Sequence, residues 1–201
     1  VYKRQMYTYG SGDVRCNYSQ DNVLYLDDSG ILHLIDTASG KDMVYCDKPN
    51  CTHEGFSGSN EKPSCPAAFY GLEGAGTVLY NDHLYYVGNM SDEDMTVQYL
   101  YVMDSNGENR KKAAKLENVQ NVTAVLYRDN YVIGAYSNRI ELNDEGQIVN
   151  DDKPEAGIFV IDLDNYKVYM SDKITSEQAN ITDIYYCLLY TSPSPRDRQK
   201  S

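Results

Sequence analysis

Three stretches of the chain alternate apolar and polar positions, run into an aspartate, turn through a few polar residues and enter a second extended run. They are Ile31–Lys41 (ILHLIDTASGK), Tyr99–Asn109 (YLYVMDSNGEN) and Gly157–Lys167 (GIFVIDLDNYK). A period of two sends successive side chains to opposite faces of a strand, so each stretch predicts a half-buried strand followed by a tight turn. Asp36, Asp104 and Asp162 fall at the same place in the three repeats. Ahead of the second and third stands a hairpin pattern, Thr77–Gly88 (TVLYNDHLYYVG) and Thr123–Tyr136 (TAVLYRDNYVIGAY), each with a polar Asn/Asp turn between two apolar runs. From Asp82 to Asp129 the period is 47 residues. Four strands per unit at a period of about 40–50 residues is the signature of propeller blades. The pattern therefore predicts an all-β fold, a partial β-propeller of about three four-stranded antiparallel blades. Glu108–Val119 (ENRKKAAKLENV) carries helix-forming residues, but the repeat places an outer strand there. A β-sandwich also has short, regularly spaced strands, yet it does not require an aspartate at the same turn of every unit.

The two ends break this pattern. Val1–Gln5 (VYKRQ) and Cys187–Ser201 (CLLYTSPSPRDRQKS) resemble translated sequencing-adapter read-through and are set apart from the fold. The expected domain is then residues 6–186, flanked by adapter-like segments 1–5 and 187–201. On this reading both natural termini are missing, and Ile181–Tyr186 (ITDIYY) begins a further blade of a larger ring.

Charge narrows the partners. The formal net charge is −12, and without the four net positive charges of the two ends it becomes −16. An acidic surface repels phosphate backbones and anionic lipid, and no basic patch with interleaved aromatics is present, so no nucleic-acid partner is expected. No apolar run approaches the ~20 residues that span a bilayer. Twenty tyrosines, against three phenylalanines and no tryptophan, suit half-buried strands whose rings pack while their hydroxyls reach water or a partner.

Catalytic chemistry is thinly represented. There is no G-x-S-x-G elbow, and the histidines are His33, mid-strand, His83, in a hairpin turn, and His53. His33 and His83 read as packing or surface residues. The acid-rich turns DDSG, SDEDM, NDEG and NDDKP lack EF-hand spacing and read as solvated turns. GLEGAG (Gly71–Gly76) lacks the strand-to-helix setting of a phosphate loop and reads as a linker between blades. No catalytic or cofactor-binding residue is predicted.

What chemistry there is gathers in one loop, Met43–Ala67 (MVYCDKPNCTHEGFSGSNEKPSCPA), as C-x4-C-x-H-x11-C. Thiolates and an imidazole converging in a tetrahedron are what zinc takes. Pro49 can turn the chain between Cys46 and Cys51, and an extended Cys51-Thr52-His53 would point both ligands to one side. Cys46, Cys51, His53 and Cys65 are therefore candidate metal ligands, with zinc the candidate cofactor. Setting Cys187 aside with the adapter-like end, Cys16 makes the cysteine count four, which permits disulfides instead.

The segment CDKPNCTHEG, followed by CPAAFYG, resembles a group of extracytoplasmic lipoproteins of Firmicutes, in which C-x-KP-(D/N)-C-TH precedes C-x-A-(Y/F) in TolB-like propeller domains of unknown function. The resemblance runs over nearly all of residues 6–186 and rests on Cys46, Lys48, Pro49, Cys51, Thr52, His53 and Cys65. The insert GFSGSNEKPS departs from it in being longer and rich in Gly and Ser. The resemblance implies a bacterial cell-surface or secreted propeller, attached to the membrane only through a missing N-terminal anchor. It implies a non-enzymatic binding or scaffold role toward a glycan, peptide or protein ligand. The alternative is the gating propeller of a larger hydrolase whose catalytic domain lies elsewhere in the polypeptide. An oxidising setting weighs toward disulfides: Cys51 to Cys65 closes a ~15-residue loop, worth roughly 3 kcal/mol in the chain-entropy model. Cys16 would then pair with Cys46, leaving His53 at the surface. The metal and the unpaired-thiol readings stay open beside it.

Overall fold

The structure is a computed structural model and describes residues 16–18, 22–55, 64–69, 75–89, 97–138, 154–176, 179, 181 and 184. The adapter-like ends, most of Ile181–Tyr186, most of GLEGAG and the insert between Gly55 and Ser64 lie outside the described residues. Three antiparallel sheets follow one another along the chain. The first holds β1 (Cys16–Tyr18), β2 (Asn22–Leu26), β3 (Leu32–Asp36) and β4 (Asp42–Val44). The second holds β5 (Ala75–Tyr80), β6 (His83–Gly88), β7 (Gln98–Asp104) and β8 (Lys111–Leu116). The third holds β9 (Asn121–Arg128), β10 (Tyr131–Asn138), β11 (Glu155–Asp162) and β12 (Val168–Met170), with β13 (Ile174–Thr175) also pairing β11. Strands neighbour each other in chain order, and no helix occurs among the described residues. The helix-forming KKAAKL segment is strand β8, because β7 offers it an open edge to pair with.

Local chemistry accounts for the turns. Asn81 and Asp82 join β5 to β6 with φ of 47° and 59°, both positive as a type I′ hairpin requires. Asp36, Asp104 and Asp162 each end the third strand of their sheet. Each donates its backbone N–H across the turn, to Lys41 O, Glu108 O and Lys167 O respectively, at 3.0 Å in every case. The carboxylates occupy the turn donors: Asp36 accepts from Ser39 N at 2.7 Å and Asp162 from Asp164 N at 2.9 Å. That local self-bonding is why aspartate recurs there. In DDSG, Asp27 Oδ1 likewise accepts from the Ser29 and Ile31 amides at 2.9 and 2.8 Å.

The second sheet is buried on both faces. Leu84, Tyr86, Tyr101 and Met103 pack with Leu24, Leu26 and Leu32 of the first sheet. From the opposite face, Tyr85, Val87 and Leu100 pack with Val125, Tyr127, Phe159 and Ile161 of the third. This explains the nearly unbroken burial of β6, where a one-sided sheet would alternate. It also corrects the expectation for tyrosine: Tyr86, Tyr127 and Tyr136 are fully buried rather than half-buried, since two sheets enclose them. Between β10 and β11, glycine makes room for aromatic rings on the opposite strand. Gly134 faces Phe159 and Gly157 faces Tyr136 in register. A Cβ at Gly134 would stand 2.0 Å from Phe159 Cζ, and one at Gly157 would stand 2.6 Å from Tyr136 Oη.

Candidate metal centre

The chain leaves β4 into the cysteine loop, and its turns follow from its residues. Cys51 N donates to Lys48 O at 3.3 Å, and Asn50 has φ 57°, so Lys48-Pro49-Asn50-Cys51 follows the type II pattern with Pro at the second position and a left-handed Asn at the third. His53 is left-handed too, with φ 53°. Its ring stands against Cys65, with Nδ1 at 3.7 Å from the sulfur. The other side of the loop is pinned to the first sheet. Leu32 N donates to Ala67 O and Phe69 N to Gly30 O, both at 2.8 Å. Lys48 Nζ donates to Ser64 O at 3.1 Å and closes the loop's two arms on each other.

Cys46, Cys51, His53 and Cys65 are brought together, with one ligand atom from each lying within 4.8 Å of all the others. Such a Cys3His cluster could hold a metal ion, and four side-chain ligands are the number that a structural zinc site takes. Cys65 is buried and the other three are partly so. A groove of about 530 Å³ runs beside Cys65 and is lined also by Gly107 and Arg110.

Cys46, Cys51 and Cys65 are free thiols. Their sulfurs surround a common centre with the imidazole, whereas a bridge needs two sulfurs at about 2.05 Å. In the sheet, Cys16, Tyr25, His33 and Val44 lie in one register row, so Cys16 stands three strand spacings from Val44. At about 4.8 Å per spacing that is roughly 14 Å, about twice what a disulfide between α-carbons tolerates, and Cys46 lies two residues beyond Val44 at the opposite edge of the sheet from Cys16. The side chain of Cys16 lies outside the described residues.

The thiols are electrostatically unequal. The His53 backbone amide, hydrogen-bonding the sulfur, holds Cys51 below the usual thiol range, against an opposing burial effect. Burial pushes Cys65 up to about 12, aided by its neighbours Cys51 and Cys46. Tyr25 is raised to about 12, chiefly by the hydroxyl it donates to Asp42 at 2.6 Å. Burial also raises Tyr85 and Tyr127. A group with a raised folded-state pKa contributes stability in full below its unfolded value, and loses it as pH climbs through the folded value. With unfolded values of ~9 for Cys65 and ~10 for tyrosine, the metal-free protein is expected to lose stability between about pH 9 and pH 12. Urea unfolding at pH 8, 10 and 11 checks this, and a midpoint constant over that range contradicts it.

Of the other histidines, His33 is a tethered surface residue, with Nδ1 at 3.0 Å from Asp42 and Nε2 at 3.5 Å from Asp27. The Nδ1 of His83 lies 2.8 Å from Asn81 O within the β5–β6 hairpin. Arg110, which reaches this centre from the second sheet, has no sequence signal that separates it from Lys111 and Lys112.

Fold and site together define an all-β protein with a Cys3His cluster. No protein-family model matches the chain, and no curated protein does. Seven chains of known structure match. One, in the crystal structure of a nidogen/laminin complex, is similar at 10% identity and a TM-score of 0.30. The match covers 78% of this chain and 60% of that one, so the chain spans less than two thirds of its length.

Proposed function

We propose that the three sheets are successive blades of a propeller that serves as a non-enzymatic binding or scaffold protein at the bacterial cell surface. In this reading Cys46, Cys51, His53 and Cys65 hold zinc as a structural clasp on the first blade. The blade reading draws on three meanders in chain order with the same aspartate turn after each third strand. The surface setting draws on the lipoprotein resemblance, which suggests a glycan, peptide or protein as ligand.

The observation that carries the non-enzymatic role is the closed ligand set. A catalytic zinc keeps one position for water or substrate, whereas four protein ligands leave none. Three soft thiolates with an imidazole also favour zinc over calcium or magnesium, which take oxygen. On zinc binding the thiols give up their protons and Lys48 and Pro49 keep the loop turned around the ion.

Reduced protein is expected to bind one zinc per chain, and cobalt(II) in its place is expected to give the absorption of a tetrahedral thiolate site. A metal-free chain that non-reducing mass spectrometry finds lighter by the hydrogens of a disulfide overturns the clasp. Turnover of ester or peptide substrates by the zinc-loaded protein overturns the non-enzymatic role.

A further inference from the structure

Loading the centre changes its charge. Three thiols lose their protons while zinc brings two positive charges, so the loaded site carries one net negative charge where the protonated, metal-free site carries none. A partly buried negative charge is costly unless a cation stands near it. Lys48 is exposed, but Arg110 is partly buried.

Arg110 follows the turn between β7 and β8, and its guanidinium crosses to the cysteine loop. Nη1 donates to Ala68 O at 2.6 Å, Nη2 donates to Pro66 O, and Nε donates to Gly107 O at 3.0 Å. Its Cζ lies 4.5 Å from the centre of the Phe69 ring. The fork thus grips two carbonyls within three residues of Cys65. No ion pair involves Arg110 among the described residues. Burial lowers its pKa to about 10, with Cys65 pulling the other way, so it remains charged at neutral pH. The same turn holds the loop's other arm, since the Tyr45 hydroxyl donates to Ser105 O. Gly107, at φ 84°, lets the turn approach closely: a Cβ there would stand 2.6 Å from Pro66 O.

We infer that Arg110 is the positioning and charge-balancing residue of the metal centre, so that zinc loading in the first sheet's loop and docking of the second sheet onto that loop stabilise one another. This rests on the zinc reading above. Positioning follows from the fork, which sets the path of Pro66 to Phe69 and hence the direction of Cys65. Charge balance follows from placing a cation with no carboxylate partner among the described residues beside a centre that becomes anionic on loading. Linkage makes the effect reciprocal: whatever factor Arg110 adds to zinc affinity, zinc adds to the docking of Arg110.

The test is competition titration of zinc against a chromophoric chelator for wild type, Arg110→Met and Arg110→Lys, with urea unfolding of each protein with and without zinc. Outer residues that orient metal ligands are typically worth 10–100-fold in affinity, so Arg110→Met is expected to weaken zinc binding by about that factor. The zinc-induced shift of its unfolding midpoint is expected to shrink correspondingly. Arg110→Lys, which keeps the charge and loses the fork, is expected to fall between Arg110→Met and wild type. Equal zinc affinity in all three proteins, with the metal-free and loaded forms destabilised alike, makes Arg110 a merely structural residue and overturns the inference. If Arg110→Met does not fold, the Lys variant decides, and parity with wild type overturns the positioning role. A wild-type protein that binds no zinc overturns the clasp itself, an outcome distinct from tight wild-type binding unaffected by Arg110.

Discussion

Cys65→Ser protein is expected to show no stabilisation by zinc at concentrations that shift wild-type unfolding strongly. A ligand that binds only the folded state stabilises it by about 4 kcal/mol at a thousandfold excess over its dissociation constant. Cys65 is the ligand whose loss removes most of that. It is the buried member of the cluster, and it anchors the arm of the loop that Leu32 and Phe69 tie to the first sheet. A serine hydroxyl there is a poor zinc ligand and sits where little water can reach. Because that hydroxyl lowers stability even without metal, the quantity to compare is the zinc-dependent shift in urea midpoint, wild type against variant. Equal shifts would show that zinc binds elsewhere. Chelation of the wild-type protein should reproduce the variant's loss.

The second large effect lies in the core between the second and third sheets. Phe159 is fully buried there, and its ring fills the space over Gly134. Phe159→Ala is expected to cost about 3–5 kcal/mol through lost burial and the cavity left behind. Against a total stability of about 5–15 kcal/mol for an ordinary domain, that is a large share. The corresponding fall in melting temperature is roughly 6–20 °C, taking about 2–4 °C per kcal/mol at this chain length. Gly134→Val inserts volume into the same contact and is expected to cost about 1–3 kcal/mol by overpacking. Combined with Phe159→Leu, the valine should cost less than the two single changes added together, because the residues touch. Thermal unfolding of the two singles and the double variant measures this coupling, and strict additivity would mean that the ring does not rest on the glycine.

Much of the secondary structure was legible from the chain alone, because the information is local. Alternation along Tyr99–Met103 and Ile158–Ile161 sets a strand whatever it packs against. Asp36 and Asp162 satisfy their turns with their own carboxylates and neighbouring amides, and Asp104 makes the same backbone bond across its turn, so the repeat could be aligned without knowing where the sheets lie. Asn81-Asp82 and Pro49-Asn50 carry their turn types in their φ preferences. The four candidate ligands were also named from residue type and spacing, since ligand chemistry is a property of the side chain.

Tertiary structure decided the remainder. Whether the cysteines pair or converge depends on where two arms separated by more than ten residues come to rest, and that is set by the hydrogen bonds of Ala67 and Gly30 on the first sheet. The separation of Cys16 from Cys46 is a matter of strand order, to which sequence spacing is blind. Three tyrosines are fully buried because neighbouring sheets close over them, Tyr86 between the first and second and Tyr127 and Tyr136 between the second and third. Arg110 stands in a run of basic residues whose local pattern treats them alike. Only the close approach of the Gly107 turn to Pro66 turns one of them inward, because long-range packing, and not local preference, determines which charge is taken out of water.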